Sequence, residues 1–363
     1  LSQPNKPISG LQISFMIIMF EIGSVPLFHL GAKAKQNSWL AVAVGAAAGL
    51  VLLLLFLYLQ KRLPESKLTG ILRYGFGRIA GCVIGTLYSC YFAYESMRNV
   101  RDIGEMTAMT LLRTTPLFIT MLIFILIACY ATWKGAEIIF RLPEILLPNL
   151  MFCYLLLIFL FFALQRADIR WLTPVAEDGL LPIMRAALPD LISFPFGQMI
   201  VFLMVWPLWN GNGVPVRNTL WAYAGVSLFL VFMNALNVTV LGPSLAANSI
   251  LPVLESVRTL AELKFIERLD ILVAIMIFVG LMIKILLFFY CAVEIMANLT
   301  RVSVKWWIFI WGALIYASSF LERNFTQHIA IGLGPSLKVD ILFQIVIPVV
   351  LAVSIALRQH FSA

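Results

Sequence analysis

A lysine in the middle of an apolar stretch poses the first chemical question. Lys284 stands in Met282-Ile283-Lys284-Ile285-Leu286, near the centre of a run covering 269–298. An ammonium at that depth of a membrane costs roughly 3 kcal/mol on insertion scales, and it is too central to reach the interface by extending its stem. Its charge therefore has to meet something inside the protein. Two roles fit: a site lysine standing in for a bound cation, or a structural lysine bonded to the carbonyls of an unwound helix. Phe288 follows four residues on and shares its face. Glu21 sits in another apolar run, beside Gly23, Ser24 and Pro26. It either pairs with Lys284, carries a proton, or bonds to loosened backbone. A third run holds Tyr91, Tyr94, Glu95, Arg98, Arg101, Asp102 and Glu105. Arg98 with Asp102, and Arg101 with Glu105, are four residues apart and can neutralise each other. A polar helix end at the outer membrane surface accounts for 101–105, whereas Tyr91 and Tyr94 lie deeper and either wall a ligand pocket or pack.

None of this composes a catalytic centre. There is no strand-turn serine motif, no phosphate-binding glycine loop and no zinc-protease helix motif. The three histidines, His29, His328 and His360, have no metal-ligand spacing. The five cysteines lie in or beside apolar runs without a CxxC pair and read as packing or lipid-facing residues. The sequence thus points to binding or transport, with no catalytic residue, no metal and no cofactor expected.

The elements that position these groups are membrane helices. Of the 363 residues 61% are hydrophobic and 12% charged, and mean hydropathy is +0.96. A soluble chain needs about 25% charged residues to cover its surface. The net charge of +8 suits anionic lipid, not nucleic acid. Apolar runs at roughly 11–31, 39–59, 80–112, 117–134, 144–164, 193–209, 219–240, 269–298, 304–320 and 339–357 read as about ten spans. An even number puts both termini on one side, and the dense basic cluster from Lys61 to Arg78 in one short connection places them in the cytoplasm. No cleavable signal peptide is read at the start, and Leu1 in place of Met leaves the native numbering open. Trp39, Trp171, Trp206, Trp209, Trp306 and Trp307 fall near span ends as an aromatic belt.

Two of the spans look broken. The first carries Glu21-Ile22-Gly23-Ser24-Val25-Pro26, and the sixth opens Ser193-Phe194-Pro195-Phe196-Gly197-Gln198. Backbone groups freed by proline and glycine are tolerated in a membrane only against protein or a wet cavity. Positions one and six are equivalent in two five-helix halves, the pattern of an inverted-repeat transporter with a midplane site. The expected organisation is a single transporter-like domain over 1–363, with a first repeat at about 8–165, a second at about 190–320 and a last helix at about 339–357.

At these residues the chain resembles a known family. Ile22-Gly23-Ser24, then Ala32-Lys33-Ala34-Lys35-Gln36-Asn37-Ser38-Trp39-Leu40, is similar to the start of the spore germinant-receptor B subunits. So are Arg101-Asp102-Ile103-Gly104-Glu105, Thr115-Pro116, Phe194-Pro195-Phe196-Gly197 and Glu267-Arg268-Leu269-Asp270, in order and at the expected spacing. That family belongs to the amino acid–polyamine–organocation superfamily, which implies an all-α membrane protein with a LeuT-like five-plus-five inverted repeat and helices one and six broken. The resemblance further implies the inner membrane of dormant spores of a Gram-positive spore former, with an A-type subunit and a lipoprotein C-type subunit as partners. The implied role is sensing a small nutrient such as an amino acid. A proton-coupled amino-acid transporter of the same fold is the alternative. Family members usually carry Glu after Phe-Pro-Phe-Gly, where this chain has Gln198, so one titratable group beside the pocket is missing. The expected ligand pocket lies between helices one, three, six and eight. Gly23, Ser24, Tyr91, Tyr94, Phe196, Gly197, Gln198, Lys284 and Phe288 are its candidate ligand-binding residues. Glu21, Arg98, Arg101, Asp102 and Glu105 are the candidate coupling or structural charges.

Overall fold

A computed structural model describes residues 8–112, 114–249, 251–260 and 269–362, with the side chains of 361 and 362 outside that description. Leu1, and the Glu267 and Arg268 of the last motif, lie outside the described residues. The described chain is helical and has no strand.

Helix α1 (Gly10–Ile22) opens with a reciprocal cap: Ser9 Oγ accepts from Gln12 N at 3.1 Å, and Gln12 Oε1 accepts from Ser9 N at 2.8 Å. It stops at Gly23 and continues only as a 3-10 turn, Val25–Leu27, around Pro26. The chain then turns at Gly31, which takes a left-handed φ of 66°, into a second 3-10 stretch and α2 (Ser38–Arg62). A short amphipathic α3 (Leu68–Phe76) leads to α4 (Arg78–Thr110), 33 residues long. The first half of the chain closes with α5 (Leu117–Lys134) and α6 (Ala136–Ala163). Helix α6 begins well before residue 144 and carries Pro143 and Pro148 inside it; the i,i+4 pair Glu137–Arg141, 2.7 Å, supports its first turns.

Short helices α7 (Leu180–Ala187) and α8 (Asp190–Ser193) precede the second break at Phe194-Pro195, and a 3-10 segment, Phe196–Met204, follows it. Next come α9 (Val216–Leu241), α10 (Pro243–Asn248) and α11 (Pro252–Arg258). Helix α12 (Leu269–Thr300) packs along α4 over most of its length. After α13 (Val304–Ser318), the chain ends in one continuous helix made of α14 (Phe325–Ile331), α15 (Leu337–Ile341) and α16 (Ile347–Ser362). The wider π turns Gly332–Ser336 and Leu342–Val346 join these three. Pro335 sits in the first of them, where its missing N–H and its ring are accommodated by the wider turn.

Among the described residues seven helices are long and apolar enough to cross a membrane: Gly10–Leu27, Ala32–Arg62, Leu117–Lys134, Ala136–Ala163, Val216–Leu241, Leu269–Thr300 and Phe325–His360. The pair Leu180–Ala187 and Asp190–Met204, bent by 43°, makes an eighth if counted as one span. The other two runs fall on α4, which is long but polar, and on α13, which is apolar but only 15 residues. Large apolar side chains such as Val51, Leu126, Phe159, Leu228 and Phe309 stand on the outside, as a lipid-facing surface requires. The all-α membrane class thus follows from both composition and structure. Two particulars are corrected. The last helix starts at Phe325, not near 339, and Trp206 is wholly buried instead of standing in an interfacial belt.

Candidate functional site

Two glycines bring the first break against α12. A Cβ on Gly280 would lie 2.5 Å from the carbonyl oxygen of Gly23, and one on Gly23 would lie 2.6 Å from Lys284 Cε. Backbone meets backbone at Gly280, and one helical turn later the Lys284 stem crosses the buried C-terminal end of α1. Gly23 was legible as a helix breaker. Gly280 was not singled out, although a glycine four residues before a mid-membrane lysine is the available signal.

The Lys284 ammonium then reaches the second break. Its Nζ donates to Gln198 Oε1 at 2.6 Å, and Gln198 Nε2 donates to Glu95 Oε2 at 2.7 Å. The amide is oriented by its neighbours: its oxygen faces the cation and its NH2 faces the carboxylate. A carboxylate at 198 would bond the lysine but would have no hydrogen to give Glu95. The rings of Phe194 and Phe20 cover the ammonium at 4.7 and 5.2 Å. Beneath it, Phe288 packs on Phe20 at 5.1 Å and on Phe92 at 5.9 Å. Glu21 is completely buried next to this chain, yet neither carboxyl oxygen has a hydrogen-bond partner among the described residues. Neither Lys284 nor the loosened backbone bonds it.

Farther along α4 a second polar cluster ties in the last helix. Arg98 Nη1 donates to Glu322 Oε1 at 2.8 Å and lies 2.7 Å from His328 Nδ1, while Nη2 donates to the His328 carbonyl at 2.7 Å. His328 Nε2 is 2.9 Å from Asp102 Oδ1, and Nδ1 also meets Glu322 Oε2. Arg98 and Asp102 are therefore joined through His328, not directly as their spacing suggests. Arg101 and Glu105 do pair, at 2.5 Å, and Arg101 also donates to the Ser319 carbonyl at 3.1 Å. Glu322 lies between spans. Burial alone would raise its carboxyl, but the bonds from His328 and Arg98 hold it below the ordinary carboxylate range.

Between these clusters lies a chamber of about 50 Å³ whose polar lining is Ser24, Glu95, Arg98, Asn99, Asp102, Gln198, Ser336 and Asp340. Phe28, Phe194, Leu333 and Leu337 form an apolar wall common to this chamber and to a second cavity of about 160 Å³, which reaches His29, Lys33 and Asp190. Phe28 and Phe194 meet edge to face at 5.7 Å in that wall. His29 belongs to the loop between the first two candidate spans; both its ring nitrogens lack a hydrogen-bond partner among the described residues, and burial pushes its imidazole down to about 4.

The structure distributes the sequence candidates unevenly. Ser24 and Gln198 line the chamber, and Gly23 and Lys284 lie directly behind it. Tyr94 hydrogen-bonds Ser336 in its wall. Tyr91 points elsewhere, accepting from Gln344 Nε2 at 2.8 Å and stacking on Phe343 at 4.6 Å. Gly197 is pressed against Gln344, where a Cβ would collide with the amide oxygen. Phe196 packs toward Gly45, Gly49 and Tyr223, with its ring 5.8 Å from that of Tyr223, so Phe194 is the aromatic of the motif that covers Lys284. Sequence reasoning missed Asn99, Glu322, His328, Ser336, Asp340 and Gln344. Five of these six lie beyond residue 320, where Gly332, Gly334, Pro335 and Lys338 interrupt the apolar run and hide the helix.

A family model described as spore germination protein matches residues 7–327. The chain belongs to the spore germination protein family. Spore germination protein KB of Bacillus subtilis (strain 168) is 28% identical over 347 residues, covering 95% of this chain and 93% of the relative. Putative spore germination protein YfkT of the same organism is 26% identical over 253 residues, 70% of this chain and 68% of that protein. Spore germination protein B2 is 25% identical over 201 residues, 54% of this chain and 53% of its own length. As a family member with seven or more apolar spans, the chain is an integral membrane protein of the spore-germination type. The matched region ends at 327, so most of the last helix, with Ser336, Asp340 and Gln344, lies beyond it.

Proposed function

We propose that this chain is the nutrient-sensing B subunit of a germination receptor. It binds a small ligand such as an amino acid where the two broken segments face α4, α12 and the last helix. Family membership supports the receptor role. The observation that carries the location is the buried Lys284–Gln198–Glu95 chain, which links α12, the second break and α4 beside a polar chamber. A ligand that altered any one of its bonds would change how those three elements sit together. Such differential contact is what sensing requires. In this reading the halves are inverted repeats, the membrane is the spore inner membrane, and A-type and lipoprotein C-type subunits read the change. The positive end of the segment starting at Phe196 favours a ligand carboxylate.

Concentration–response curves for germination test it, with protein level checked by immunoblot. Lys284→Ala is expected to abolish the response to every nutrient this receptor reads while protein persists in the membrane. An unchanged half-maximal concentration at normal protein level would place the site elsewhere. The buried, unpartnered Glu21 favours a second reading, proton-coupled amino-acid transport. Uptake of labelled amino acids into proteoliposomes that follows an imposed pH gradient, and is lost in Glu21→Gln, would establish that reading.

A further inference from the structure

We infer that the chamber's far wall, built by Asp340, Asn99 and Glu95, is a subsite for a primary ammonium group, with Asp340 on the last helix as its principal anchor. The inference deepens the reading above by assigning one end of the ligand, and it rests on this chamber being the ligand pocket. Its first support is charge. Glu95, Asp102 and Asp340 bring three carboxyl groups to the lining, against the single guanidinium of Arg98. Arg98 is already engaged by Glu322 and His328, Asp102 by His328, and Lys284 is held behind the Gln198 amide.

The second support is independent of charge. Asp340 is 3% exposed and Asn99 4%, and Asp340 Oδ1 and Asn99 Oδ1 have no hydrogen-bond partner among the described residues. Asn99 Nδ2 donates to the Glu95 carbonyl at 2.8 Å, which turns the amide so that its oxygen is left as a bare acceptor. Buried polar atoms left unpaired are costly. Two acceptors lining one chamber call for a donor, and an ammonium brings three hydrogens and a compensating charge. Size fixes the rest. A water needs roughly 10–15 Å³ of such space, so a chamber of about 50 Å³ admits an ammonium with a few attached heavy atoms. A longer side chain has to cross the Phe28–Phe194–Leu333–Leu337 wall into the larger cavity.

The test uses the purified full chain in nanodiscs, titrated calorimetrically with methylammonium, ethylammonium and isobutylammonium. Isobutanol and isobutyrate serve as the neutral and anionic counterparts. Saturable binding of the ammonium series alone, weakened at least tenfold by Asp340→Asn and severalfold by Asn99→Ala, is the expected result. Thermal unfolding of each variant shows that it is folded. Isobutanol binding as tightly as isobutylammonium, or an affinity untouched by both substitutions, overturns the subsite. Spores carrying Asp340→Asn separate this from the receptor reading. A nutrient response lost with Lys284→Ala but unchanged with Asp340→Asn overturns the subsite and leaves the receptor reading standing. Ammonium binding that needs Asp340, with normal germination of spores lacking the chain, upholds the subsite and removes the receptor reading.

Discussion

Helix α4 carries two buried polar clusters about one turn apart, and they differ in how completely their atoms are matched. Around Arg98 the guanidinium, both His328 nitrogens, Glu322 and Asp102 all find partners. Around Glu95 the matching is incomplete: among the described residues Glu21 has neither oxygen bonded, and Asn99 and Asp340 each leave one oxygen unmet. A fully matched network in low dielectric fixes one arrangement, whereas an unmatched one retains the capacity to accept a new partner. The contrast separates a joint that holds the last helix from a site that can be occupied, though both look alike as rows of charge in the sequence.

Breaking the joint has the largest expected effect. Arg98→Ala leaves Glu322 and the His328 carbonyl without their common donor, and Asp102 held only by His328. Removal of one member of a buried charged group costs about 3–5 kcal/mol. Protein abundance and the thermal midpoint in detergent should both fall sharply, and near-normal values would show that the cluster does not hold the helix. Phe196→Ala, a truncation at a fully buried ring, is expected to cost about 3 kcal/mol through the cavity it leaves. It should lower the midpoint without changing which nutrients are read. Phe194→Ala uncovers Lys284 and the chamber wall, and it should alter nutrient sensitivity with a smaller stability loss. The reverse pattern would return Phe196 to the pocket.

His29 tests an unmatched group outside the helices. Folded, its imidazole titrates at about 4, against 6.5 for the ordinary value. Between those values the unfolded chain binds more protons. The stability is therefore fully present above pH 6.5 and is lost as pH falls toward 4, by at most about 3 kcal/mol. Thermal midpoints across that window should drop more in the parent than in His29→Phe, and parallel curves would contradict it. The smallest effect is expected from Gln198→Glu, which places two carboxyl groups at hydrogen-bond distance. The half-maximal nutrient concentration should then depend on pH, by less than about tenfold, or roughly 1 kcal/mol. A pH profile superimposable on the parent's would remove the Glu95–Gln198 contact from the response.

Much of the frame was legible because the membrane imposes a single demand: apolar helices of sufficient length, broken only where backbone can be satisfied. Gly23-Ser24-Val25-Pro26 and Phe194-Pro195 declared both breaks, and Lys284 declared that it must turn inward. Local spacing failed where partners come from afar. Arg98 and Asp102 looked like a pair, but the group that joins them is His328, 226 residues beyond Asp102. Phe194 lies in extended backbone and Phe196 opens the 3-10 segment after it, so no helical face tells which of the two rings meets Lys284. Glycine and proline interrupt the apolar run over residues 325–338, and the wider turns that carry a helix through such a sequence leave no periodic signature.

Those two wide turns give the last helix a property no straight rod has. Each stores one residue more than an α-helical path needs, and they flank only Leu337–Ile341. Handing a spare residue from one turn to the other would rotate that short segment by about 100° and slide it about 1.5 Å. Neither α16 nor the clamp at Arg98 would need to move. Asp340 rides on this segment and would swing away from Asn99 and Glu95. The helix is a screw with slack thread on either side of one working turn, and that turn bears the carboxylate facing the chamber.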